Sequence, residues 1–320
     1  MGAVSGAFTI TGLSYRYRRA ERPALDGIDI ACESGHIVGL LGPNGCGKTT
    51  LIKLLAGTLH PGRGSVRLFP SDPGLSPDDR RRKITACFDR VPFLESLSGR
   101  ENAVRLTTLR GVDRGESARR VDQWLSIFGL ADRMDDAVAT YSLGMRRKLG
   151  LTEVFAAHPD LVLLDEPLGG LDAEGRSTLL ATLRAERERG AAAVIAAHDP
   201  DFAAAACDTI VLMDAGRVLA SGEPTALIEA LGLETTFEVS LASPSEGRLA
   251  LPEGVRSLAT THDALRLASA RGAVALPETA AAIVTAGGEI RAIHVREPNL
   301  DDVFVSLTGR TMKATLSEPA

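Results

Sequence analysis

At 320 residues the chain exceeds one average domain and suits two, or one large domain with an appendage. Its 44% apolar and 24% charged content is that of a globular protein, and a net charge of −5 with no long basic run gives no sign of nucleic-acid binding. Apolar runs such as Ala191 to Ala197 fall far below the ~18–20 residues that span a bilayer, residues 1–5 lack a signal-peptide pattern, and four scattered cysteines without a C-x-x-C pair argue against a disulfide or zinc framework and for a reducing cytosol.

His36 to Leu41 is an apolar run of strand length. Gly42-Pro43-Asn44-Gly45-Cys46-Gly47-Lys48-Thr49 follows and matches the phosphate-binding pattern G-x-x-x-x-G-K-[ST] at every fixed position. Thr50 to Ala56 then continues with helical spacing up to Gly57, so strand, glycine loop and helix come in the order the motif requires. The glycines let the backbone wrap a polyphosphate, and the amides from Gly45 to Thr50, with the helix N-terminus behind them, point at the anion. Lys48 supplies a charge for the β and γ phosphates, and Thr49 a hydroxyl for Mg²⁺. The loop thus points to ATP and Mg²⁺ as ligands. Cys46 lies where a helix terminus lowers a thiol pKa, with an unreactive loop residue as the alternative.

Ser98-Gly99-Arg100-Glu101 is a capping box that opens a helix to about Arg110, before Gly111. A second helix is expected near Ser117 to Phe128, with Val121, Trp124, Leu125 and Phe128 on one face, which makes Trp124 a core residue. Tyr141 to Lys148 places a serine N-cap before another helix, either an anion-binding end or a plain cap. Leu161 to Glu166 reads as a buried parallel strand ending in two carboxylates, at the sheet edge where open α/β folds bind ligands. Asp165 would hold Mg²⁺ through water and Glu166 would accept a proton from an attacking water; a solvated acidic turn is the bland alternative. Ala193 to Ala197 is a further strand-like run, ending at His198. Beyond Pro224 to Leu231, strands are expected at Thr236 to Leu241 and Ile290 to Val295, and helices at Pro277 to Thr285 and Leu300 to Leu307.

In order and spacing these elements resemble ATP-binding-cassette (ABC) transporter ATPases over roughly residues 7 to 225. The glycine loop resembles the Walker A motif, Tyr141 to Met145 the signature, Leu161 to Glu166 Walker B, Gly170-Leu171-Asp172 the D-loop, and His198 the switch histidine. Tyr17 takes the place of the aromatic that stacks on adenine, and Asp89 stands at the Q-loop position where the family has glutamine. The chain's one glutamine is Gln123, inside a helix; Met145 replaces the signature glutamine and Leu143 a signature glycine, while Ser142 and Gly144 remain. The pattern S-L-G-M, and the terminal stretch Glu297 to Gly309, resemble the ABC-2-type exporter branch for drugs and lipids.

The resemblance implies an α/β fold: a P-loop NTPase (RecA-like) core with antiparallel β and α-helical subdomains, plus a small C-terminal α+β appendage. The expected division is an ATPase domain over 1–231, its helical subdomain at about 90–160, an accessory domain over 232–309 and a loose tail over 310–320. It further implies two ATPase subunits, homo- or heterodimeric, sandwiching two ATP molecules. Lys48, Glu166 and His198 would be catalytic, Thr49, Asp165 and Asp89 would serve the metal, and the loop residues 42–50 with Tyr17, Ser142 and Gly144 would bind nucleotide. The partners implied are ABC-2-type permease subunits, one of which seats a cytosolic helix in a groove around Phe88 to Leu97, with no nucleic acid. The implied location is peripheral, on the cytoplasmic side of a bacterial membrane. A non-transport ABC ATPase working on DNA or ribosomes is the competing class; the short Lys48 to Asp165 interval leaves no room for a long coiled coil, and there is a single Walker A.

Overall fold

Antiparallel strands β1 (Gly6–Tyr15) and β2 (Leu25–Glu33) open the chain. They precede β3 (Ile37–Leu41), α1 (Lys48–Leu55), β4 (Arg63–Leu68), α2 (Pro77–Arg82) and β5 (Ile84–Cys87). Three longer helices follow: α3 (Gly99–Leu109), α4 (Arg114–Ile127) and α5 (Leu143–Ala156). The chain then alternates through β6 (Leu161–Asp165), α6 (Ala173–Glu188), β7 (Ala192–Ala197), α7 (Pro200–Ala206), β8 (Thr209–Asp214) and β9 (Arg217–Gly222). This computed structural model describes residues 6–312, apart from 71, 73, 90–91, 244–248 and 262. The chain divides into two compact units, one running to Pro224 and the other spanning Thr225–Thr311.

In the first unit a six-stranded sheet has the order β5-β6-β7-β3-β8-β9, parallel except for the β8–β9 pair. Strands β3, β6 and β7 are buried at every residue, as a parallel sheet covered on both faces requires. Their C-terminal ends lie side by side: Leu41 is in register with Ala197, and Asp165 with Ala196. The residues just past these ends are Gly42, Glu166 and His198, so the sheet brings three distant segments together. A separate antiparallel sheet, β2-β1-β4, packs Phe8, Ile10, Leu13 and Leu25 into the same core as Leu40, Leu51, Ile52 and Leu163.

Helices α3, α4 and α5 form their own cluster around Ala103, Val121, Leu125, Tyr141 and Leu149. Ser98 and Glu101 make the reciprocal capping box of α3, and Arg110 closes it before Gly111, whose φ is 94°. Helix α4 starts at Arg114, three residues before the expected Ser117, because the Asp113 carboxylate accepts from the amides of Gly115 and Glu116. Trp124 is half-buried and stacks on Phe128 and Phe155, ring centroids 6.0 and 5.2 Å away.

The second unit begins inside α8 (Pro224–Glu229) and continues through β10 (Thr235–Ser243), β11 (Val255–Thr260), β12 (Ala264–Ser269), α9 (Leu276–Thr285), β13 (Glu289–Arg296) and α10 (Leu300–Thr308). Its antiparallel sheet has the order β11-β12-β10-β13 around Phe237, Val239, Leu265, Leu267 and Ile283. Strands β11 and β12 have no counterpart in the elements expected from periodicity. In β11 only Val255 is buried, so an edge strand carries almost no apolar alternation to read. Of the tail expected over 310–320, residues 313–320 lie outside the described residues, as do 90–91 of the groove expected at Phe88 to Leu97.

Candidate nucleotide-binding and hydrolysis site

The loop between β3 and α1 is shaped by its glycines. Gly47 caps α1 in the left-handed region at φ 114°, and a Cβ there would stand 2.6 Å from the Ala24 carbonyl. The outer side of Gly45 meets nothing within 4 Å, so the loop forms a cradle open on one face. Asn44, Gly45 and Thr49 are exposed there, while Gly42, Pro43, Cys46, Gly47, Lys48 and Thr50 are buried. Such a cradle fits a polyphosphate.

Lys48 is 6% exposed, and its Nζ donates to the carbonyls of Gly42 (2.6 Å) and Pro43 (3.2 Å), with Glu166 Oε1 at 3.9 Å. Thr49 Oγ1 donates to Asp165 Oδ1 at 3.0 Å. A hydroxyl and a carboxylate oxygen held together in this way are the hard donors Mg²⁺ takes beside phosphate oxygens. Burial raises the Asp165 pKa above the ordinary carboxylate value; the Thr49 hydrogen bond opposes that rise and the neighbouring Glu166 charge adds to it. A cation at this position would relieve the cost of keeping Asp165 charged.

Glu166 follows β6 with φ 50°, a left-handed conformation that a non-glycine residue adopts only where its surroundings hold it, and its amide donates to the Ala196 carbonyl of β7. The turn aims the carboxylate across the sheet end to His198, whose Nδ1 lies 2.6 Å from Glu166 Oε2 with the ring N–H donating. Glu166 and His198 thus stand in contact although 32 residues apart in sequence. Their side chains are 25% and 60% exposed, open to water.

Tyr17 is 40% exposed, and its hydroxyl lies 3.2 Å from Thr50 Oγ1. Tyr15 packs half-buried against the core with its ring nearly perpendicular to that of Tyr17, centroids 5.0 Å apart, so Tyr17 is the more exposed of the two. Ser142 caps α5 by accepting from the Met145 amide. A Cβ on Gly144 would sit 2.5 Å from the Gly170 carbonyl, so glycine is required for that close approach. Leu143 is 68% exposed, while Tyr141 and Met145 turn inward to the helical cluster. Asp89 joins neither the Thr49–Asp165 contact nor the Glu166–His198 contact; its Oδ1 accepts from Arg147 at 2.7 Å.

Cys46 settles its two readings through burial. Its side chain is 2% exposed in the main core, and desolvation raises the thiol pKa despite the lowering influence of Lys48. Its carbonyl accepts from the Gly216 amide, which ties the loop to the β8–β9 turn. Arg147 was not among the residues singled out from sequence, yet it is 3% exposed at the side chain and binds two distant segments, Phe88–Asp89 and Gly169. The signal available was position: it lies one turn before Leu151, on the buried face of α5.

The model of the ABC transporter family matches residues 25–169. The daunorubicin/doxorubicin resistance ATP-binding protein of Streptomyces peucetius is 33% identical over 301 residues, which cover 93% of this chain and 91% of that protein. The linearmycin resistance ATP-binding protein of Bacillus subtilis is 28% identical, covering 92% of this chain and 96% of that one. Among solved structures, an ATP binding subunit of an ABC transporter superposes with a TM-score of 0.63 at 28% identity, covering 71% of this chain and 93% of its own. The likeness to the resistance proteins extends through the second unit, beyond what the ATPase core alone would give. This chain belongs to the ABC transporter ATPases, and among them to the ATP-hydrolysing subunits that drive export through separate membrane subunits.

Proposed function

We propose that the chain is one half of a paired ATPase, binding MgATP between its own phosphate loop and Ser142–Gly144 of a second ATPase subunit, and that closure of the pair drives export through ABC-2-type permease subunits. The observation that carries this reading is the meeting of Lys48, Thr49, Asp165, Glu166 and His198 at one end of the sheet. The open face of the cradle supports it too: one subunit leaves a side of the phosphate without donors, and the α5 N-terminus has donors and a dipole to give.

In this reading the loop amides and Lys48 hold the phosphates, Lys48 exchanging the carbonyls of Gly42 and Pro43 for phosphate oxygens. Thr49 and Asp165 hold Mg²⁺, which when bound neutralises charge on the phosphates. Glu166 takes a proton from the attacking water, and His198 fixes the Glu166 carboxylate and contacts the γ-phosphate. The Tyr17 ring stacks on adenine, and Asp89 faces the metal side through water. No helix among the described residues is long and apolar enough to cross a membrane. We place the chain peripherally on the cytoplasmic side, with the ATPase domain over 1–231 and an accessory domain over 232–309 that packs or dimerises rather than binding cargo. The names of the resistance relatives favour an antibiotic-like small molecule as cargo. Glu166→Gln tests the proposal: ATP turnover is lost while MgATP binding, measured by calorimetry, persists. Unchanged turnover would remove Glu166 from its role.

A further inference from the structure

Arg147 lies in the second turn of α5, just past the Ser142–Gly144 end. A buried guanidinium carries five donors and a permanent charge, so it is tolerated only where acceptors and a counter-charge surround it. Arg147 has four such contacts: Nη2 donates to Asp89 Oδ1 at 2.7 Å and to the Asp89 carbonyl at 3.2 Å, Nη1 to the Phe88 carbonyl at 3.2 Å, and Nε to the Gly169 carbonyl at 3.3 Å. Both segments these contacts reach flank the metal side of the site. Phe88 and Asp89 follow β5, and Gly169 lies three residues after Glu166 on the turn that follows β6.

Asp89 is itself placed between two claims. Its side chain is 68% exposed and paired to Arg147, while its charge is also felt at Asp165. A neutral amide at this position would bind the guanidinium more weakly, since charge-assisted hydrogen bonds are roughly twice as strong as neutral ones. Asp89 lies just past β5, whose Cys87 is in register with Leu164 of β6, so the counter-charge of a buried α5 arginine stands beyond the same sheet end as Asp165.

We infer that Arg147 is a positioning residue of this ATPase: it shares Asp89 with the cation side of the site and, gripping Gly169 at the same time, links the placement of the α5 N-terminus to the state of the nucleotide site. The inference rests on reading Ser142–Gly144 as the phosphate-facing end of α5. Asp89→Asn removes the counter-charge but leaves Arg147 its three backbone carbonyls; Arg147→Lys keeps the charge and loses the fork.

The chain carries its own reporter. Trp124 is its one tryptophan and stacks on Phe155 of α5, so its emission reads the packing of that helix. The experiment measures MgATP affinity by calorimetry, kcat by phosphate release, and the change in Trp124 emission on adding MgATP or ATP with EDTA. Wild-type emission is expected to change with MgATP and not with ATP in EDTA. Asp89→Asn and Arg147→Lys should each bind MgATP within about threefold of wild type, lose at least half of the emission change and lower kcat about tenfold. The double variant should be no worse than the worse single one, as a shared interaction requires. A wild-type emission change and kcat retained in both single variants would overturn the inference. So would binding lost in step with kcat, which marks a merely structural role, or a wild-type emission indifferent to bound MgATP. Failure of wild type to bind MgATP at all would overturn the functional reading as well, and so is told apart from failure of the inference alone.

Discussion

The two units of the chain spend their polar residues differently. In the first, Lys48, Thr49, Asp165, Glu166 and His198 converge on one sheet end, with Glu166 held in a left-handed backbone and Asp165 placed where burial disfavours its charge. In the second, the charged side chains pair off singly at the surface, as Arg271 does with Glu278 and Arg296 with Asp302, both at 2.6 Å. Its core is built on Phe237, Val239, Leu265 and Leu267, and the polar side chains buried there among the described residues, Thr235, Ser269 and Thr279, are uncharged. A region that concentrates polar groups against their own preferences is arranged for chemistry, whereas one that disperses them is arranged for stability. Substitutions in the first unit should therefore cost turnover with little loss of folding, and substitutions in the second the reverse.

The largest expected effect breaks the first half of that contrast if it fails. Glu166→Gln keeps the shape of the side chain and its contact with His198 but removes the carboxylate we propose as the proton acceptor, which should lower kcat by about 10²–10⁴. Its thermal midpoint should stay near wild type, as measured by scanning calorimetry. A turnover reduced no more than twofold would mean that another group accepts the proton. The matching test in the second unit is Leu267→Ala. Leu267 is wholly buried, so the deletion should cost about 2–5 kcal/mol of stability, read from denaturant unfolding. MgATP affinity of the folded protein should not move; a loss of affinity would show that the contrast between units is too sharp.

What could be read from sequence follows the same division. The phosphate loop was legible because its chemistry is backbone geometry, which glycine and a single lysine announce. Strands β3, β6 and β7 were legible as apolar runs because both faces of a parallel sheet are covered. Asp165, Glu166 and His198 could be named as candidates, but their meeting depends on strand order, which no local pattern contains. Arg147 escaped because the run Met145-Arg146-Arg147-Lys148 looks like a solvated face, and only the helix phase separates buried Arg147 from half-buried Arg146 and Lys148. Strand β11 escaped for the opposite reason, since the exposed edge of a small sheet has no apolar rhythm to show, whereas β12 is an inner strand whose Leu265 and Leu267 alternate over too short a run to stand out.

A smaller effect sharpens the picture of the second unit. The terminal stretch resembling that of the exporter branch has a plain structural job: the Asn299 side chain accepts from the amides of Asp301 and Asp302, and Asp302 answers to the Asn299 amide. Leu300, Val303 and Phe304 on that helix are buried. Asn299→Ala should therefore cost about 1 kcal/mol of stability with no change in kcat. A change in kcat without loss of stability would give this motif a part in the catalytic cycle.

The smallest expected effect separates the cost of the site from its use. In the folded protein burial raises the Asp165 pKa above its unfolded value, so between the two pKa values the folded state holds more protons than the unfolded state. Stability from this group is therefore full below the unfolded pKa and declines as pH rises through the folded pKa, the reverse of a salt-bridged carboxylate. Above the folded pKa the nucleotide-free protein bears the cost of a charged, desolvated Asp165. Asp165→Asn preserves an acceptor for the Thr49 hydroxyl and removes the charge, so the thermal midpoint of the free protein should rise by about 1–3 °C at pH 7. The gain should shrink as the buffer is taken down through the carboxylate range, where wild-type Asp165 is itself protonated. Added MgATP should raise the wild-type midpoint and leave the variant nearly unmoved, since only the charged residue gains from a cation beside it. A variant less stable than wild type at pH 7 without nucleotide would show that the Thr49–Asp165 contact outweighs the desolvation of Asp165, and that this end of the sheet is held together by the groups it was expected to strain.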